Sequence, residues 1–486
     1  MLKTLIRKEI TETILDLRFW IVTALFLILI PLGMYVSRKD YESRLANYQQ
    51  EHGMYREHYG KSVHSSVEAQ GFRPPSMLSI FALGLDPFMP DKAITSRSGL
   101  VRVAKEPGID NPESLLFGKA DFLFNVSFIV SLAALIFTFN RISGEREKGT
   151  LRLMISGPIR RGEILLAKIV GNYLVLLVPF IIAFLAALII LNASSVIPFW
   201  SSGLCPALLV VILITLLFML VMVSLGICVS TLTHGSIASI MMLFLVWVIA
   251  VLGIPKISPM LAEAVYPIES RNVVDMAQRI AREDIEREFN EKKSDLFKRC
   301  RTEFGVTHDN VSTRPSGEAE KKAYAKYDQE VVAVENECQR RIAEATRKLE
   351  QEYRNKRNVQ ASLAVNLSRI SPVSCYTYLI SGISGTGTSE PDKFTENAER
   401  YQEQVKTAIY DNYISKTYRL GGSSASTSNR VDGFDSSKAS IPEMKYEYTT
   451  MAEVLRTGWI DILLLFMFAI LFFSVAFWRF NKYDVR

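Results

Sequence analysis

The sequence predicts a mainly α membrane protein: a six-helix transmembrane domain with an N-terminal interfacial elbow helix and a large extracytoplasmic domain containing a long helical hairpin. Three observations carry this expectation. Six stretches, at 19–36, 121–139, 164–190, 205–230, 236–254 and 459–478, are apolar and almost free of charge. Each is long enough, at about 18 residues or more, to cross a hydrocarbon core of roughly 30 Å. Lys and Arg gather beside them in three groups that fall on one side if there are six spans. Finally, two long polar inserts, 37–120 and 255–458, separate the spans, and the second has a helical hydrophobic seam.

The elements follow in chain order. Over residues 1–18, Leu2, Leu5, Ile6, Ile10, Ile14 and Leu17 recur at helical spacing, with Lys3, Arg7, Lys8, Glu9 and Glu12 mostly off that face. This pattern predicts a helix lying flat at the membrane interface before turning into the first span. The first span is too long for a signal-peptide core and lacks a small-residue cleavage site after it, so it is expected to be a retained span. Pro31 and Pro179 fall inside spans, where neighbouring helices can satisfy the freed carbonyl. The basic groups are Lys3, Arg7, Lys8 and Arg18; then Arg141 through Lys168; then Arg479, Lys482 and Arg486. Positive charge marks the cytoplasmic side. Both termini, including the tail 479–486, and the loop 140–163 are therefore expected there, with both inserts outside a bacterial cytoplasmic (inner) membrane.

In the first insert, Ser76–Leu85 is apolar and is expected to pack on the membrane face or on the second insert. In the second, charged arms at 267–303 and 317–367 flank a turn-rich break at 305–317. Tyr327, Val331, Val334, Cys338, Ile342, Ala345 and Leu349 step by three and four, close to a heptad seam. A looser stripe of Val273, Met276, Ile280, Phe289 and Leu296 faces it in this reading. The expectation is an antiparallel hairpin over 267–367, reaching on the order of 50 Å from the membrane. Residues 363–387, amphipathic and broken at Pro372, are expected to lie along the outer membrane surface. Residues 420–440, rich in Ser and Gly, read as a flexible loop.

The net charge of +6 belongs to the span flanks and orients the protein in lipid, with no call for nucleic acid. The five cysteines show no metal spacing, and pairing of Cys300 with Cys338 stays open. The chain has no His-Glu-x-x-His, no Gly-x-Ser-x-Gly and no Rossmann fingerprint. Gly144–Thr150 mimics the spacing of a phosphate loop but lacks its Lys and any preceding strand. No catalytic, cofactor or metal residues are therefore assigned. Spans two to five hold no interior ionisable group, with Asp121, Lys168 and Asp461 placed at boundaries. This argues against an ion relay and leaves an external motor as the source of work.

The loop 140–163 suits that role. Glu145 to about Ser156 reads as one helix, with Leu151, Leu153, Met154 and Ile155 as apolar knobs and Glu145, Arg146, Glu147, Lys148 and Arg152 as complementary charge. Gly157-Pro158 ends it, and Arg160-Arg161 leads into span three.

The run Ser143-Gly-Glu-Arg-Glu-Lys-Gly149-Thr150-Leu, then Pro158, Arg161 and Lys168, resembles the coupling-helix region of permease subunits of ABC exporters of the second class. The two large inserts are similar to those of the subgroup with long extracytoplasmic insertions. That resemblance implies a coupling function for Glu145, Arg146, Glu147, Gly149, Thr150, Leu151, Leu153, Met154, Pro158 and Arg161. It also implies a separate ABC ATPase in two copies, which uses ATP and Mg, and a second permease subunit, identical or different. Membrane lipids and an extracytoplasmic partner protein complete the expected contacts. A scaffold or signalling protein whose hairpin binds an envelope partner is the alternative, and a secondary transporter is a third reading.

Overall fold

The computed structural model describes residues 2–59, 69–95, 101–104, 120–156, 159–192, 204–304, 318–405, 407 and 442–482. Six helices in it are long and apolar enough to cross a membrane. They are α2 (Leu17–Tyr59), α3 (Phe122–Glu147), α5 (Arg161–Asn192), α6 (Cys205–Leu232), α7 (Ser236–Val265) and α12 (Met451–Asn481). Before them lies α1 (Leu2–Ile14), and between α3 and α5 the short α4 (Thr150–Ser156). The second insert supplies α8 (Arg271–Glu303), α9 (Glu318–Ser368), α10 (Pro372–Ile383) and α11 (Glu390–Val405).

The apolar spans share one core, through residues such as Phe26, Ile30, Phe122, Leu176, Phe180, Phe218 and Leu465. Two helices depart from regular α geometry inside it. Residues Asn125–Val130 of α3 and Ile249–Gly253 of α7 form π-helical turns, which widen the helix by one residue and release backbone groups locally. Asp121 caps α3, accepting from the Phe124 amide at 2.7 Å and from Leu83 at 2.8 Å.

The helix that carries the first span runs on past residue 36. Helix α2 continues to Tyr59, because 37–59 offers no strong breaker and gains i,i+3 and i,i+4 ion pairs such as Arg38–Glu42, Lys39–Glu42 and Arg44–Asp40. Three short strands the sequence did not announce follow: β1 (Ala69–Phe72), β2 (Lys92–Thr95) and β3 (Val101–Ala104), antiparallel in the order β1-β2-β3. Helix α11 covers this sheet through Phe394, Ala398 and Tyr401, so the two inserts fold together. Each insert brings a buried charged group to this junction, and the Arg73 charge acts on Glu390 across it. Arg73 lies 2.7 Å from Asp86, which also pairs with Arg44, and Glu390 accepts from the Thr449 amide. Burial alone would lower the Arg73 pKa, but Asp86 together with Tyr448 and Tyr446 raises it on balance. Burial raises the Glu390 carboxyl, against hydrogen bonds from Thr449.

Helices α8 and α9 form the antiparallel hairpin. Phe289, Cys338 and Ile342 are its buried centre, and Lys293–Glu335 and Arg341–Glu288 pairs fix the register. Both cysteines are free. Cys338 packs beside Phe289, and Cys300 is 11 residues further along α8, about 16 Å away along the helix axis. That register excludes the Cys300–Cys338 disulfide the sequence left open. The looser stripe is also corrected: Val273, Met276 and Ile280 are exposed, while Val274 and Phe289 are buried.

Residues 372–383 do not lie along a surface. Helix α10 is buried among α6, α12 and the π turns of α3 and α7, with Cys375, Tyr376, Leu379 and Ile380 inaccessible. A surface helix needs one polar face; α10 carries apolar or small residues all round. The apolar segment near Ser76–Leu85 packs both ways. Phe81 meets Phe122 and Phe184 of the bundle, and Ser76 donates to the Ser384 carbonyl beyond α10.

Candidate functional site

The end of the bundle that carries both termini is organised by the segment between α3 and α5. The expected single helix over 145–156 is instead two pieces. The last turn of α3, Ser143–Glu147, stops at Lys148; Gly149 then takes φ +75°, a left-handed conformation an L side chain adopts only under strain, and α4 begins at Thr150.

The break separates two tasks. Glu145, Arg146 and Glu147, just before it, each hold a different helix. Glu145 reaches the Lys168 ammonium of α5 at 2.7 Å, and Glu9 of α1 reaches the same nitrogen at 2.9 Å. Arg146 donates to the Thr233 carbonyl at 2.8 Å and to Thr231 at 3.4 Å, the C-terminal end of α6 where a cation is favoured. Glu147 accepts from the Ser236 amide and hydroxyl, at 3.1 and 2.8 Å, the N-terminal end of α7 where an anion is favoured. Ser230 and Ser239 both donate to the Phe139 carbonyl, sealing α6 and α7 against the end of α3. Beyond α4, Arg161 donates to the Asn481 carbonyl at the end of α12.

Lys168 is 1% exposed and sits between two carboxylates. Glu9, Glu12 and Glu145 place carboxylate oxygens within 4.8 Å of one another, a geometry that suits a cation. Lys168 already supplies that charge, and Arg141 faces the same carboxylates. The approach of α1 depends on Gly171, where a Cβ would stand 2.8 Å from Glu9 Cβ.

After the break the exposure reverses. Leu151 is fully buried and anchors α4 to the bundle. Leu153 is 76% exposed, Thr150 and Arg152 are exposed, and Met154 and Ile155 are half-buried. A short, anchored helix thus presents an apolar residue and a cation to whatever lies beyond this end of the bundle.

A family model described as ABC-2 family transporter protein matches residues 3–485. The chain belongs to this family. Two curated relatives share part of it, each described as a probable ABC transporter permease protein NosY. The one from Stutzerimonas stutzeri is 37% identical over 82 residues, 16% of this chain and 30% of the relative. The one from Pseudomonas aeruginosa is 42% identical over 58 residues, 12% of this chain and 21% of the relative. In both, the chain spans less than a third of the relative's length. Family and spans together make this ABC-2 protein a multi-pass membrane protein.

The coupling residues expected from sequence divide accordingly. Glu145, Arg146, Glu147, Leu151 and Arg161 hold the ABC-2 bundle together; Glu145, Arg146 and Glu147 are therefore not on the helix that was expected to carry them. Thr150, Leu153 and Met154 lie on α4, Gly149 makes the turn, and Pro158 lies outside the described residues. Sequence reasoning missed Glu9, because it sits off the apolar face of α1; in the structure Glu9 and Thr13 point inward while Leu2, Ile14 and Leu17 are exposed. Lys168, expected at a span boundary, is buried within the bundle, and a lone charge beside an apolar run was the available signal.

Proposed function

We propose that the chain is the transmembrane permease subunit of an ATP-driven ABC transporter, working as an exporter and driven through α4 by a separate ATPase subunit. The supporting observation is the contrast across Gly149: charged residues before it tie α3 to four other helices, and α4 beyond it presents Leu153 outward. A force on α4 is delivered to α3 and through it to α1, α5, α6 and α7. The permease names of the partial relatives favour the same reading.

In this proposal the chain carries no catalytic site or cofactor of its own; ATP and Mg are used by two ATPase copies. Two permease subunits, identical or different, pair in the bacterial inner membrane with both termini and α4 on the cytoplasmic side. The hairpin then stands outside, available to an envelope protein. The test is co-purification with candidate ATPases from the same organism. Wild-type protein is expected to retain one of them, and Gly149→Pro and Glu145→Ala to lose it. Retention by both variants would overturn coupling through this segment. Deleting 270–360 is expected to leave ATPase binding intact; if the alternative of a scaffold were right, no ATPase would be retained by any form.

A further inference from the structure

Helix α7 is longer than a span needs. At 30 residues it measures about 45 Å against a core of roughly 30 Å, so its outer end leaves the hydrocarbon. Helix α9 packs along that end, where Gln360 donates to the Tyr266 carbonyl and Lys356 pairs with Glu269. Further out α9 meets α8, as Arg271 and Gln278 both bind Glu350. The end of α7 and then α8 thus run in turn along α9, away from the bilayer.

Their sides facing away from α9 are apolar. Ser258 and Ala262 of α7 and Val274 and Phe289 of α8 are buried. Ile257, Met260 and Leu261, then Val273, Met276 and Ile280, fall opposite them by helical phase and are exposed. An amphipathic helix ordinarily buries its apolar stripe. Lipid does not cover the upper part. Glu350, between whose two partners on α8 Met276 lies, stands about 28 Å along α9 from Arg369, which pairs with Asp461 of span α12. Headgroups reach only roughly 5–8 Å beyond the core.

We propose that this stripe is where a second copy of the chain docks, α8 against α8 in parallel. Two copies inserted the same way in one membrane are related by a two-fold axis along its normal, which brings each residue to the height of its own counterpart. Val273, Met276 and Ile280 step by three and four, the seam of a parallel helix pair. Flanking positions that meet across such a seam lie five residues apart, and here they are Arg279 and Asp284, of opposite charge. Asp284 also lies 3.4 Å from Arg287 on its own helix, an exposed pair that leaves it accessible. Glu283 and Arg287 hold the next seam positions and end the contact. The six apolar side chains would bury on the order of 600 Å² per copy, against about 800 Å² in a standard interface, and the charged flanks add to this. Docking of this kind goes beyond the permease reading and needs only insertion in a membrane, so the loss of one leaves the other standing.

The test is disulfide formation in proteoliposomes of the full chain with exposed Cys205 replaced by Ser; the other four cysteines are buried. Oxidation of Met276→Cys is expected to link most of the chain into dimers, with Ile280→Cys as a second reporter. Lys348→Cys, exposed on α9, is expected to link at least about tenfold more slowly. Diluting the protein into excess lipid should leave the yield at position 276 unchanged. Two differently tagged forms, Met276→Cys/Arg279→Glu and Met276→Cys/Asp284→Arg, are expected to link with each other on the order of fivefold more than random mixing gives, because only the mixed pair keeps opposite charges on both flanks. Linking at 276 no faster than at 348, a yield that falls in proportion to dilution, or random mixing of the tagged forms would each overturn the docking. In native membranes, a linked product holding another protein in place of the second copy would overturn it as well.

Discussion

Replacing Lys168 with Met removes one ammonium and strands two carboxylates at the junction of α1, α3 and α5. At 2.7–2.9 Å each ion pair is worth about 6 kcal/mol at an effective dielectric near 20, before desolvation. Removing one member of a buried pair commonly costs about 3–5 kcal/mol. Glu145 is 19% exposed and can rehydrate, whereas Glu9 is 4% exposed and cannot without α1 moving. Lys168→Met is therefore expected near the lower end, about 3 kcal/mol. Glu9→Gln alone keeps the Lys168–Glu145 pair and is expected to cost about 1–2 kcal/mol. In the double variant no charge is left on the dry side, so the combined cost is expected to fall short of the sum by about 1.5–2 kcal/mol. Denaturant unfolding in mixed micelles measures the cycle, and proteolysis of the N-terminal helix reports whether α1 detaches. Costs that add to within about 0.5 kcal/mol would refute a shared cation tying the elbow helix to the loop.

Three further outcomes are expected. Burial holds the Glu390 carboxyl above its ordinary 4.5, so its protonated form is favoured in the folded state. Its contribution to stability is full below pH 4.5 and is lost as pH rises through the folded-state value; Glu390→Gln should flatten the thermal midpoint over that interval, and an unchanged slope would count against the buried carboxyl. Gly149→Ala should cost about 1–2 kcal/mol through left-handed strain, read by denaturant midpoint, with Gly149→Asn costing less; equal effects would refute the positive φ. Alkylation and mass spectrometry of protein purified without reductant should find Cys300 and Cys338 both free, and a linked peptide would refute the hairpin register.

Much of the bundle was legible because lipid imposes a simple code: long apolar runs, basic flanks and no charge between. The hairpin seam was legible for a related reason, since Val334, Cys338 and Ile342 recur at the spacing two packed helices require. What escaped the sequence depends on contacts between distant segments. The strands at 69–72, 92–95 and 101–104 are four residues each and are stabilised by α11, some 300 residues away. Helix α10 is a short piece beginning at Pro372, and its place inside the bundle depends on Phe218 and Thr215, which α6 brings to Tyr376. At the candidate site, Gly149 and Leu153 could be named, but the division at Gly149 could not. Glu145, Arg146 and Glu147 look like a surface charge run until Lys168, Thr233 and Ser236 are brought to them.

Photo-crosslinking from α4 tests the coupling reading most directly. A benzophenone amino acid at Leu153, in the complex reconstituted with its ATPase, is expected to form a covalent adduct with the ATPase, while the same group at exposed Ile280 on the hairpin gives none. No adduct from position 153, or an equal yield from position 280, would contradict α4 as the place where the motor engages the membrane subunit.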